Sequence, residues 1–112
     1  MKCNNYIVEV NDRSDIKFTG YLLAKASTSD NTASGGIYSG ETGRWTELEL
    51  YKTKEGYYVC NNIYKTLWDG ERDINNAVVC TTQEQVIDFF GFDALAKSLY
   101  SDADIDCSTK VI

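Results

Sequence analysis

The chain has 112 residues, with 11 Lys plus Arg against 17 Asp plus Glu, four cysteines, eight tyrosines, and neither histidine nor proline. That length suits a single domain, 1–112, large enough to bury a core without metals or disulfides. A net charge of −6 opposes a broad grip on nucleic acid phosphate. The missing histidine excludes Ser-His-Asp and Cys-His nucleophile activation, His-ligated zinc or haem, and a histidine general base.

The N-terminal segment Met1–Glu9 lacks an apolar h-region and a small-residue cleavage site, so it does not read as a signal peptide. No apolar run approaches the roughly 18 residues of a membrane helix. Residues 6–26 read as two strands of a hairpin. Tyr6, Val8 and Val10 alternate with Ile7 and Glu9, and Asn11–Asp15 supplies turn chemistry. Ile16, Phe18, Leu22 and Ala24 then share one face, and Lys17, Thr19, Tyr21 and Lys25 the other, with a bulge expected at Gly20. Residues 27–44 are Ser-, Thr-, Asn- and Gly-rich and aperiodic, which predicts a flexible loop. Gly35 and Gly40 have the spacing of a phosphate loop, but Glu41-Thr42 follows where Lys-Ser/Thr is required, and no helix comes next.

Residues 45–80 carry the strongest β pattern. In Trp45–Thr53, Leu48 and Leu50 lie on one side and Trp45, Glu47, Glu49 and Tyr51 on the other. Turns at Lys54-Glu55-Gly56 and Asp69–Asp73 separate this strand from Tyr57–Tyr64 and Asn76–Cys80, making a three-stranded meander. The remainder is helical. Thr81/Glu84 and Thr82/Gln85 both allow a capping box, Val86, Ile87, Phe89 and Phe90 form an apolar stripe, and Gly91 ends the helix. Asp93 caps a second helix with Leu95, Ala96, Leu99 and Tyr100 inward, fraying into an acidic tail at about 101–112. Strands followed by helices predict an α+β fold, an antiparallel sheet of about five strands with two short helices packed on one face.

Cys3, Cys60, Cys80 and Cys107 form no C-x-x-C pair, so no zinc or thioredoxin-type site is expected. They read as cytosolic thiols, with Cys60 and Cys80 in the core; their even number keeps a disulfide framework as the alternative. Asp102-x-Asp104-x-Asp106 begins like a calcium loop, but Cys107 and the sequence beyond it lack the glycine and the terminal glutamate. Glu47 and Glu49, about 7 Å apart on one strand face, have a glycosidase-like separation but also match any exposed strand face. No catalytic residue, metal ligand or cofactor site is therefore assigned.

Aromatics and charge are the more informative groups. Trp45, Tyr51, Tyr57 or Tyr58, Tyr64 and Trp68 crowd the meander among Lys52, Lys54 and Lys65. Such residues can stack bases, anchor a protein interface or fill a core. No RNP-type signature is present. Residues 1–56 hold 7 basic and 8 acidic side chains, whereas 57–112 hold 4 and 9. The acidity is thus concentrated in the second half, where Glu84, Asp88, Asp93, Asp102, Asp104 and Asp106 can form a surface that meets a basic partner.

The string TELELYKTKEGYYVC, with TLWDGE, VCTTQEQVIDFFG and LAKSLY after it, resembles small bacterial proteins of plasmids, phages and integrated mobile elements. The resemblance implies a setting in which small acidic proteins inhibit host defence by stoichiometric binding, as anti-CRISPR proteins do. It carries no functional residue over. The expectation is a non-enzymatic, cytoplasmic protein-binding module with no membrane partner. Trp45, Glu47, Glu49, Tyr51, Tyr64, Trp68, Glu84, Asp88, Asp102 and Asp104 are its candidate contacts, and its partner is a basic, nucleic-acid-handling protein. The alternatives are a nucleic-acid-binding domain using Trp45, Tyr51, Tyr64 and the nearby lysines, or an accessory protein of a mobile element with no inhibitory role.

Overall fold

The computed structural model describes residues 2–28 and 44–108. Five strands, β1 (Asn4–Val8), β2 (Ile16–Ser27), β3 (Arg44–Thr53), β4 (Tyr58–Thr66) and β5 (Ile74–Cys80), precede two helices, α1 (Gln83–Phe90) and α2 (Ala94–Ala103). The sheet order is β1-β2-β3-β4-β5 and every pair is antiparallel, so the expected α+β architecture is the observed one. The greater part of the expected 27–44 loop, residues 29–43 with Gly35, Gly40 and Glu41, lies outside the described residues, as does 109–112.

Period-2 alternation gives the sheet two apolar faces, and each has its own cover. Ala24, Ala26, Leu48, Leu50, Tyr58, Cys60 and Cys80 meet Val86 and Phe90 of α1 and Ala96, Leu99 and Tyr100 of α2. α2 lies against β2 and β3, and α1 against β4 and β5. The other face carries Tyr51, Val59 and Ala77, and these pack against Val8, Val10, Ile16 and Phe18. β1 does not pair with β3, β4 or β5, so this contact requires the sheet to curl until the first hairpin folds over its own face. The hairpin is clasped at its far end, where Asn11 N donates to Asn75 O (2.9 Å) and Asn75 N to Asn11 Oδ1 (2.6 Å). Tyr6 stacks on Phe18 at 5.3 Å, and both rings meet Tyr51. Burying side chains such as Leu50, Val59, Val86 and Leu99 stabilises the fold by about 1.5–3 kcal/mol each.

Two details of β2 differ from expectation, for one reason. The register shift falls between Leu22 and Ala24, not at Gly20, so Leu22 pairs with Tyr51 on the hairpin side and Ala24 with Leu50 on the helix side. The bulge therefore switches the faces that a uniform alternation had joined. Gly20 instead permits a close approach: a Cβ there would run into the Lys52 carbonyl and lie 2.8 Å from Thr53 Cα. The C-terminal tail is also shorter than read. α2 continues through Ala103, and Ile105 is buried in the helix-side core.

Candidate interaction surface

α1 begins at Thr82, whose Oγ1 accepts from Gln85 N (3.2 Å). Gln85 Oε1 reaches back to Thr81 N (2.8 Å), one residue earlier than a standard capping box requires. This places Glu84 and Asp88, four residues apart, on one exposed side of the helix. Gly91 at φ 83° ends α1, its N–H donating to Ile87 O (2.7 Å). Phe92 follows and is 60% exposed, then Asp93 caps α2 by accepting from Ala96 N (2.8 Å). At the end of α2, Asp104 adopts the left-handed conformation (φ 59°) and Ile105 N donates to Tyr100 O (2.9 Å). With Ile105 inserted in the core, Asp106 and Cys107 are brought back against α1.

The result is an open groove of about 390 Å³ lined by Glu84, Asp88 and Asp106 together with Ile87, Phe92 and Cys107. Asp106 accepts from the Ser108 side chain and from Ser108 N (3.0 Å), which holds its carboxyl below the usual aspartate range. Three carboxylates beside an exposed aromatic ring and an aliphatic floor suit a guanidinium or ammonium with its alkyl stem. Of the expected acidic contacts, Glu84 and Asp88 line this groove, whereas exposed Asp102 and the helix-ending Asp104 do not. Phe92 was missed: a hydrophobic residue after a helix-ending glycine ordinarily packs back onto the helix. Among the described residues, no three His, Cys, Asp or Glu side chains are grouped to hold a metal ion.

The expected aromatic contacts are divided by the pleat. Trp45 and Tyr51 lie on the hairpin side, but Tyr64 pairs with Thr46 on the helix side. Tyr51 is core, in contact with Tyr6 and Phe18. Its Oη donates to Glu49 Oε1 (3.0 Å), and burial, then the nearby carboxylate, pushes its phenol up. Glu49 also accepts from Asn61 Nδ2 (3.1 Å) and faces Lys25 Nζ at 4.0 Å, while Glu47 accepts from Trp45 Nε1 (2.8 Å). Lys52 lies over the Tyr58 ring at 5.1 Å and Lys65 pairs with Asp73 at 3.6 Å. Neither a family model, nor a curated protein, nor a solved structure matches the chain.

The β4–β5 turn offers a second exposed group. Trp68 is 51% exposed next to exposed Leu67, and Ile74, at the start of β5, is exposed as well. Arg44 lies 5.4 Å from the Trp68 ring centre and forks onto Glu71, which also accepts from Thr66 Oγ1 (2.7 Å). These donors, Arg44 first, hold the Glu71 carboxyl down to about 2. No helix among the described residues is long and apolar enough to cross a membrane.

Proposed function

We propose that the chain is a non-enzymatic protein-binding module whose acidic helical end docks on a basic surface of a nucleic-acid-handling protein. The observation that carries this reading is the groove that Glu84, Asp88 and Asp106 line together with the exposed Phe92. Carboxylates at such a rim steer a basic partner and set its register, and an aromatic ring within it supplies the apolar anchor of an interface. Trp68 with Leu67 and Ile74 is a further apolar contact area at the opposite end of β5 from α1. The resemblance to mobile-element proteins supports a cytoplasmic setting and a stoichiometric inhibitor of host defence, of the anti-CRISPR kind. The four cysteines are free thiols, in keeping with a reducing compartment.

The nucleic-acid reading loses support because its three aromatics do not share a face and Tyr51 is buried. An enzymatic role for Glu47 and Glu49 loses support because each is tied to its neighbours, one Glu47 oxygen by Trp45 and one Glu49 oxygen by both Tyr51 and Asn61. The test is affinity capture from host lysate at low salt, with Glu84→Lys/Asp88→Lys/Asp106→Lys run beside the wild type. The wild type is expected to retain a basic protein that elevated salt releases and the triple variant fails to hold. Recovery of no partner at low salt, or equal retention by the variant, retires the reading. Titration with single-stranded oligonucleotides that quenches tryptophan fluorescence would revive the nucleic-acid alternative.

A further inference from the structure

We propose that Cys60 and Cys80 are a latent cross-strand disulfide, closed by a small-molecule disulfide such as oxidised glutathione. The register pairs Tyr58 with Cys80 and Cys60 with Val78, so the two cysteines are diagonal neighbours on adjacent strands, both facing the helices. Their Sγ atoms stand 3.7 Å apart. A disulfide needs about 2.05 Å, so the sulfurs must close by roughly 1.7 Å; diagonal neighbours lie about 7–8 Å apart, so the β5 backbone shifts toward β4 as the bond forms. The other two thiols are placed differently: Cys3 is exposed ahead of β1, and Cys107 lines the acidic groove. The fold thus selects one pairing where the sequence left all of them open.

Both sulfurs are enclosed, with Cys60 fully buried and Cys80 nearly so. Burial and the neighbouring sulfur push the Cys60 thiol up, which keeps the pair reduced while the structure is closed. Oxidation proceeds when the β5–α1 junction opens. One thiol loses its proton, and the thiolate attacks the oxidant disulfide and releases one glutathione thiolate. The second cysteine, deprotonated in turn, attacks the mixed disulfide and releases the other. Two electrons pass from the protein to the oxidant, and its two glutathiones leave reduced. The bond spans 20 positions of chain and ties β5, the strand just before the Thr82 cap, to its neighbour β4. It forms whether or not the groove binds a protein.

The experiment uses Cys3→Ser/Cys107→Ser beside the full wild type, each incubated with oxidised glutathione at mildly alkaline pH. Urea below the unfolding midpoint is added in a second series to open the junction. Tryptic cleavage after Lys65 and Arg72 puts Cys60 and Cys80 on separate peptides. The expected product in both proteins is those two peptides joined, with the oxidised protein melting about 10 °C higher than the reduced one. Recovery of both residues as thiols in every condition overturns the proposal. So does glutathione retained on either residue, or a linked peptide in which Cys107 replaces one of them.

Discussion

Gly20 and Gly56 are both required as glycine, for different physical reasons. At Gly20 the obstacle is backbone: an added methyl group meets the Lys52 carbonyl and Thr53 Cα, neither of which moves without breaking the β2–β3 ladder. Gly56 has open space around it but a φ of 95°. Gly20→Ala is therefore expected to destabilise by about 2–3 kcal/mol and Gly56→Ala by about 1 kcal/mol. Urea denaturation compares the two, and an equal cost would mean that the close approach at Gly20 is slack. Tyr100 couples the stability of the fold to pH. Its Oη donates to Gly91 O (2.7 Å), and burial, the largest cause, pushes its phenol up to about 12. The folded state holds this proton after the unfolded chain has released its own near pH 10. That contribution is whole below pH 10 and is lost as pH rises from 10 to 12. The stability of the wild type should fall across that window, and Tyr100→Phe should flatten the slope, as chemical denaturation at stepped pH will show.

At the scale of elements, the helices are short and depend on their caps. α1 has eight residues and α2 ten, lengths that are marginal as isolated helices. Thr82 and Asp93 each satisfy a first-turn N–H that would otherwise lack a partner inside the helix. Thr82→Ala and Asp93→Ala are each expected to cost about 1 kcal/mol. Hydrogen exchange should show protection lost first in the capped helix of each variant, and uniform loss would contradict local anchoring. The caps were legible because Ser, Thr, Asp and Asn signal themselves three residues ahead of a partner N–H. The bulge at Leu22–Ala24 was not, because nothing in that run of apolar side chains marks where the pleat is interrupted.

For the whole molecule, charge separates binding from folding. Glu84 and Asp88 are exposed on a helix whose last turn holds no basic residue, and they line the same groove as Asp106. Removing like charges from such a site relieves repulsion rather than breaking structure. Glu84→Gln/Asp88→Asn should leave stability within about 0.5 kcal/mol of wild type while weakening capture of a basic partner. Thermal melts and low-salt capture measured together check this. A large loss of stability would make these carboxylates part of the fold instead of its interface.

By itself the sequence determined what depends on near neighbours. Alternation identified the strands, capping residues and the helical stripe placed α1 and α2, and strand–strand–helix order settled the α+β class. It also located the acidity in the second half. Which of these residues meet depends on how the sheet curls and the helices pack. The curl that lays the first hairpin on Tyr51 turned a candidate contact into core. The turn at Asp104 and the burial of Ile105 carried Asp106 to Glu84 and Asp88 but left Asp102 behind. Two cysteines 20 positions apart became neighbours through the β4–β5 register. Each of these outcomes depends on contacts between residues distant in the chain, for which local periodicity carries no signal.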